Sequence, residues 1–384
     1  MKRMAQFFGL LILFVFGNRP ASGQTIGKYV PIPAGSDADH AITEINGTAD
    51  PAQKLALIDK FSSTLAQDDM AIVADDLYVN YYIAQKNYEK AFEYGDKLFA
   101  LDPDNFANAV NMVRAASEKG DVDKLMAYGE KVPGILQRFK AAPPPTGMEA
   151  DNWDRQKAAT LENNKDNIMY IEQAIFLGVY RSTNAAKRAG LLTQFAQLFP
   201  DSPFANQALG VAATSYQQAQ NVPKMLEVAN GLLAKDPNNI GMLLLLSDYY
   251  SEKGEQLDKA EASAKKAVTL LGSAPKPEGV TDEQWQQQVS LEKGLALSAL
   301  GQVSIQKKDN AQAVENFKAA APLLKADEGS YGRNQYRLGF ALLNLKRNAE
   351  AKDAFTQSAS VNSAYKSLAQ AKLKTFDTAA RKKS

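Results

Sequence analysis

The dipeptide Leu300-Gly301 is followed by Ala313, Phe317 and Ala320, and Leu338-Gly339 is followed at the same intervals by Ala351 and Phe355. Small residues at fixed distances, with a large ring one turn after the second of them, are what two antiparallel helices need where they touch. The pattern therefore predicts a helical hairpin of roughly 34 residues, used repeatedly. A single hairpin of that size buries too little apolar surface to offset its ordering entropy, so stability has to come from stacking on neighbours. Function in such an all-α chain is sought on a surface rather than in a catalytic pocket.

The chemistry-bearing residues agree. The chain has no cysteine and one histidine, which removes disulfides, thiolate metal sites and the common nucleophile-base pairs. That histidine, His40, lies in a proline-bearing segment and reads as solvated. No glycine-rich phosphate loop occurs. The acidic groups Asp75-Asp76 and Glu149, Asp151 and Asp154 read as helix-start residues rather than an acid-base pair. No catalytic residue, cofactor or metal is expected. Lys and Arg total 44 against 43 Asp and Glu, so no general electrostatic pull favours a nucleic-acid partner or an anionic membrane.

Residues 1–23 read as an export signal: Lys2 and Arg3, an apolar run from Phe7 to Phe16, and the small residues Ala21-Ser22-Gly23 before Gln24. Ten helical residues span about 15 Å, half of a ~30 Å hydrocarbon core. Cleavage and export to a periplasmic or secreted location, with no stable membrane anchor, are the expectation.

The remaining chain divides by composition. Residues 24–49 carry Pro31, Pro33, Gly35 and Gly47 and read as an extended leader, with Asn46-Gly47-Thr48 as a turn. Residues 50–140 read as N-terminal helical repeats, opening at Asp50-Pro51 as cap and first turn. Residues 141–152, with Pro143, Pro144, Pro145 and Gly147, read as a linker or a protruding loop, serving as either a hinge or a bracket. Residues 153–380 read as further repeats with a closing helix from about Ala364, and residues 381–384 as a basic tail. One long helical pattern runs from Trp153 to Arg181, and Gly272 to Gly279 makes a second interruption.

Tyr82, Ala91 and Pro103, the turn Asn87-Tyr88-Glu89-Lys90-Ala91 and the exit Leu101-Asp102-Pro103-Asp104-Asn105 resemble the tetratricopeptide repeat family. Tyr216, Ala229 and Pro237 repeat the Tyr82-to-Pro103 interval. About seven repeats, two of them degenerate, cover most of Ile72 to Ser360. The resemblance implies a right-handed α-solenoid of stacked helix-turn-helix hairpins that binds a protein or extended peptide in its concave groove, without catalysis. It also implies that Asn80, Arg114, Tyr170, Gln173, Arg181, Gln217, Asp248, Gln302, Arg333 and Tyr336 face that groove. The family's clamp for acidic chaperone tails is broken: Asn80 and Asn111 match its asparagines, but Asp76 and Tyr170 stand at lysine positions and Ala174 at the arginine position. Phe199-Pro200-Asp201-Ser202-Pro203-Phe204 resembles a variant repeat of bacterial envelope proteins. The competing reading is a glycan- or small-ligand-binding protein, with the ligand between the Pro143 linker and Trp153.

Overall fold

The computed structural model describes residues 25–277 and 279–381. The expected signal at residues 1–23 and residues 382–384 of the expected basic tail lie outside the described residues. Among those described there are nineteen α-helices and no strand. Their contacts divide the chain into two compact units, Met1–Ala208 and Leu209–Ser384.

The first unit contains α1 (Asp37–Gly47), α2 (Pro51–Thr64), α3 (Met70–Ala84), α4 (Tyr88–Leu101), α5 (Phe106–Lys119), α6 (Val122–Gly129), α7 (Lys131–Ala141), α8 (Ala150–Asn163), α9 (Lys165–Tyr180) and α10 (Ala185–Leu198). Helix α11 (Ala205–Gln218) starts in it and lies mostly in the second unit. That unit continues with α12 (Val222–Lys235), α13 (Ile240–Lys253), α14 (Leu257–Ser273), α15 (Asp282–Gln306), α16 (Asn310–Leu324), α17 (Glu328–Asn344), α18 (Asn348–Ser360) and α19 (Lys366–Arg381).

One backbone device closes six of the hairpins. The N–H of the residue after the tip reaches back five positions: Asn87 to the Tyr82 carbonyl, Asp121 to Ala116, Asn221 to Tyr216, Glu255 to Tyr250, Asp309 to Ser304 and Arg347 to Leu342, at 2.8 to 3.1 Å. These bonds satisfy carbonyls that a helix end leaves unpaired. They require a left-handed residue at the tip, which is Gly120 and Gly254 in two turns and Lys86, Gln220, Lys308 and Lys346 in the others. Asn87, Asp121, Asn221 and Asp309 then cap the second helix by accepting an N–H three residues on.

Inside the hairpins of α15 with α16 and α17 with α18 the small residues stand where the repeat pattern places them. A Cβ on Gly301 would meet the Phe317 ring at 2.6 Å, and one on Gly339 would meet the Phe355 ring at 2.7 Å. Between hairpins the same polar contact occurs in both units. Buried Asn108 on α5 donates to the Gly95 carbonyl of α4 at 2.8 Å, and buried Asn334 on α17 donates to the Phe317 carbonyl of α16 at 2.9 Å. Each fixes one hairpin against the one before it.

The first helices of successive hairpins also touch directly, α3 with α5 and α5 with α9 in the first unit, α13 with α15 and α15 with α17 in the second. The second helices make no comparable contact among the described residues. First helices are therefore the crowded layer and present the inner face of each stack.

Several segments differ from the sequence expectation. The leader at 24–49 is not extended throughout, because Ser36 caps α1 and Ile42 and Ile45 bury one side of it. Its beginning is also tied down: the Phe106 N–H donates to the Ile26 carbonyl at 3.2 Å and the Lys28 N–H to buried Asp102 at 2.9 Å. The helical pattern from Trp153 to Arg181 is two helices, broken at Asn164, since asparagine is a weak helix former and its side-chain amide donates to the Thr160 carbonyl at 2.9 Å. The second helix of the second repeat is likewise split into α6 and α7, where Pro133 has no N–H to offer the Gly129 carbonyl. The Pro-rich segment at 141–152 leaves a held base, because Trp153 Nε1 donates to the Ala142 carbonyl at 2.7 Å and Lys157 Nζ reaches the carbonyls of Lys140 and Ala142.

Candidate protein-interaction surface

The inner face of the first unit is a continuous polar strip over three helices. On α3, Asn80 donates to the Asp76 carbonyl at 2.9 Å and to its carboxylate at 3.0 Å. On α5, Asn111 donates to the Asn80 side-chain oxygen at 3.3 Å, which carries the strip across the helix boundary. Arg114, also on α5, is hydrogen-bonded to Tyr170 of α9, and exposed Gln173 follows on α9. Of the residues expected in a groove, Asn80, Arg114, Tyr170 and Gln173 therefore share one surface. Arg181 is exposed but sits at the C-cap of α9, the rim of that surface.

Burial sets the electrostatics of the strip. It pushes the Asp76 carboxyl up to about 6, against the opposing hydrogen bond from Asn80. Neighbouring Asp75 is also raised by burial, countered by the charge of Lys97. Burial raises the Tyr170 phenol, and Arg114 works the other way.

The second unit arranges its expected residues differently. Gln217 is exposed on α11 and Gln302 is half-buried on α15. Asp248 of α13 and Arg333 of α17 bind each other at 3.0 Å. Tyr336 packs among Tyr365, Phe340 and Phe355, with ring centroids 5.0 to 5.6 Å apart. Two residues that were not singled out complete this side: Arg337 of α17, only 7% exposed, lies against Glu252 of α13. Burial lowers the Arg337 guanidinium from its ordinary value, and the charge of Asp248 opposes the shift. The signal was present in the sequence, since Asp248/Glu252 and Arg333/Arg337 share a four-residue spacing.

The other chemistry-bearing residues are placed as follows. His40 is exposed on α1. Glu149 precedes the first turn of α8, and Asp154 pairs with Lys157 at 3.0 Å. Trp153, where a glycan or small ligand was considered, is buried with its ring edge-on to Phe139. A cleft of about 280 Å³ lies between Phe99, Pro103, Lys131 and Arg138 in the first unit. No group of three or more metal-binding side chains occurs among the described residues.

A chain of stacked helical hairpins belongs in class with helical-repeat solenoids. The sequence model of the tetratricopeptide repeat matches residues 332–365, the hairpin of α17 and α18. No curated protein sequence matches the chain. Among solved structures it is similar to a chain of the APC/C hetero-tetramer Cut9-Hcn1, with 12% identity, 88% of this chain and 62% of that chain covered, and a TM-score of 0.43. It is also similar to yeast Tom70, with 9% identity, 90% and 95% covered and a TM-score of 0.34. The P58(IPK) TPR domain is similar at 11% identity, 91% and 99% covered, with a TM-score of 0.30. The chain thus spans about three fifths of the first of these structures.

Proposed function

We propose that this chain is an exported adaptor that receives an extended segment of a partner protein on the inner face of its first unit and performs no chemistry itself. The observation that carries the reading is the strip from Asn80 through Asn111 and Arg114 to Tyr170 and Gln173, which crosses three consecutive first helices. An extended segment has backbone donors and acceptors along its whole length, and the amide side chains of such a strip can meet them. A preformed surface avoids most of the ordering cost on the receiving side. Tetratricopeptide-like solenoids serve as protein-interaction scaffolds, which agrees with this use.

The test is affinity capture from an envelope extract with protein lacking residues 1–23. A partner bound by this protein and by the control Lys265→Glu, but lost on Arg114→Glu and on Gln173→Arg, supports the reading. A partner retained through both inner-face changes refutes it.

A further inference from the structure

Stacked hairpins normally contact only their immediate neighbours, and their stability is then a sum of nearest-neighbour interfaces. The second unit departs from that rule. Helices α13, α15 and α17 open three consecutive hairpins, and α15 packs against both of the others. Yet two ion pairs run from α13 to α17 past the intervening helix: Asp248 with Arg333, and Glu252 with Arg337. Each pair of partners is separated by 85 positions in the chain. The acids are one turn apart on α13 and the arginines one turn apart on α17, so the contacts form two successive rungs.

Reach distinguishes these rungs from the other ion pairs, and three of their four side chains are shielded from water. The side chains of Arg333 and Asp248 are 22% and 27% exposed and Arg337 is 7% exposed, while Glu252 is 41% exposed. Pairs such as Lys224 with Glu227 or Lys265 with Glu261 join residues of one helix. Charges shielded from water interact more strongly and are screened less by salt. The middle helix is fastened as well, because Gln306 Nε2 donates to the Ser251 carbonyl of α13 at 3.3 Å.

We propose that the two rungs are a clasp that joins α13 to α17 over α15, so that three hairpins of the second unit hold one curvature and open together rather than fraying from the C-terminal end. Helices α17, α18 and α19 are the end of the stack, and without the clasp their last interface is that of α16 with α17 and of α15 with α17. With it, opening α17 also requires breaking contacts to a helix two hairpins away.

The experiment changes residues on α13 and reads amide exchange on helices that carry no substitution. Hydrogen exchange of the full chain is followed by mass spectrometry for wild type, for Asp248→Asn/Glu252→Gln, and for Asp248→Asn/Glu252→Gln/Arg333→Met/Arg337→Met. The last variant lacks the clasp but leaves no unpaired buried arginine. In both variants the amides of α18 and α19 are expected to exchange about tenfold faster than in wild type, equivalent to ~1.4 kcal/mol, while those of α12 are unchanged. Wild-type exchange in the fourfold variant would overturn the proposal, since any loss in the double variant would then be the effect of an orphaned charge. Equal acceleration in α12 and α19 would overturn it too, as that pattern reports general destabilisation.

Discussion

Replacing Gly339 by alanine places a methyl group 2.7 Å from two atoms of the Phe355 ring. Ordinary contact begins near 3.4 Å, so the ring or the helix has to retreat by several tenths of an ångström. The ring has no room to do so: Phe355 is fully buried, with Phe340, Tyr336 and Phe376 centred 5.5, 5.6 and 6.3 Å away. Overpacking of this kind costs about 1 to 3 kcal/mol, while exchanging glycine for alanine inside a helix returns about 1 kcal/mol. Gly231 of α12 supplies the control, since it is exposed and a Cβ there meets no atom within 4 Å. Gly231→Ala should therefore stabilise by about 0.5 to 1 kcal/mol. The propensity gain is common to both variants, so the gap between them isolates the packing term of about 1 to 3 kcal/mol. At ~2 to 4 °C per kcal/mol for a unit of this size, the melting temperatures should separate by about 2 to 12 °C. Trp285 of α15 reports the second unit when Trp153→Phe is present in all three proteins. A Gly339→Ala protein that melts with or above Gly231→Ala would refute the close approach of α17 to α18.

Asp76 gives a pH-dependent case. Its carboxyl is raised by burial to about 6, so the folded state disfavours the charged form and stability is lost as pH rises from the usual carboxylate range through 6. Asp76→Asn should therefore gain over wild type as pH increases from 4 to 7, and a melting-temperature gap that is the same at both ends of that range would contradict the assignment. Trp153→Phe removes the hydrogen bond to the Ala142 carbonyl, worth about 1 kcal/mol. The expected result is faster amide exchange in residues 142–149 with little change at α4, and unchanged exchange in that loop would show that its base is held by Lys157 alone.

The hairpins were legible because their signal is steric and local: Gly301 and Gly339 must be small for the rings of Phe317 and Phe355 to fit, and a size constraint survives in one sequence. The breaks were less legible. Asn164 and Pro133 interrupt helices that apolar periodicity carries through, and Ser36 starts a helix whose buried face rests on only two isoleucines, Ile42 and Ile45. On the surface, repeat register showed which side of a helix each residue occupies. It did not show what neutralises what. That Asp248 meets Arg333 depends on how far α15 lets α13 and α17 approach, which is set by packing between hairpins and not by spacing within one.

The tips at Lys86, Gln220, Lys308 and Lys346 share their left-handed backbone with Gly120 and Gly254, although a side chain there is disfavoured. What each turn retains is a pair of main-chain groups five residues apart, and amides and carbonyls are supplied by whatever amino acid happens to be present. Drift in side-chain identity can thus erase the written motif while the bend itself persists.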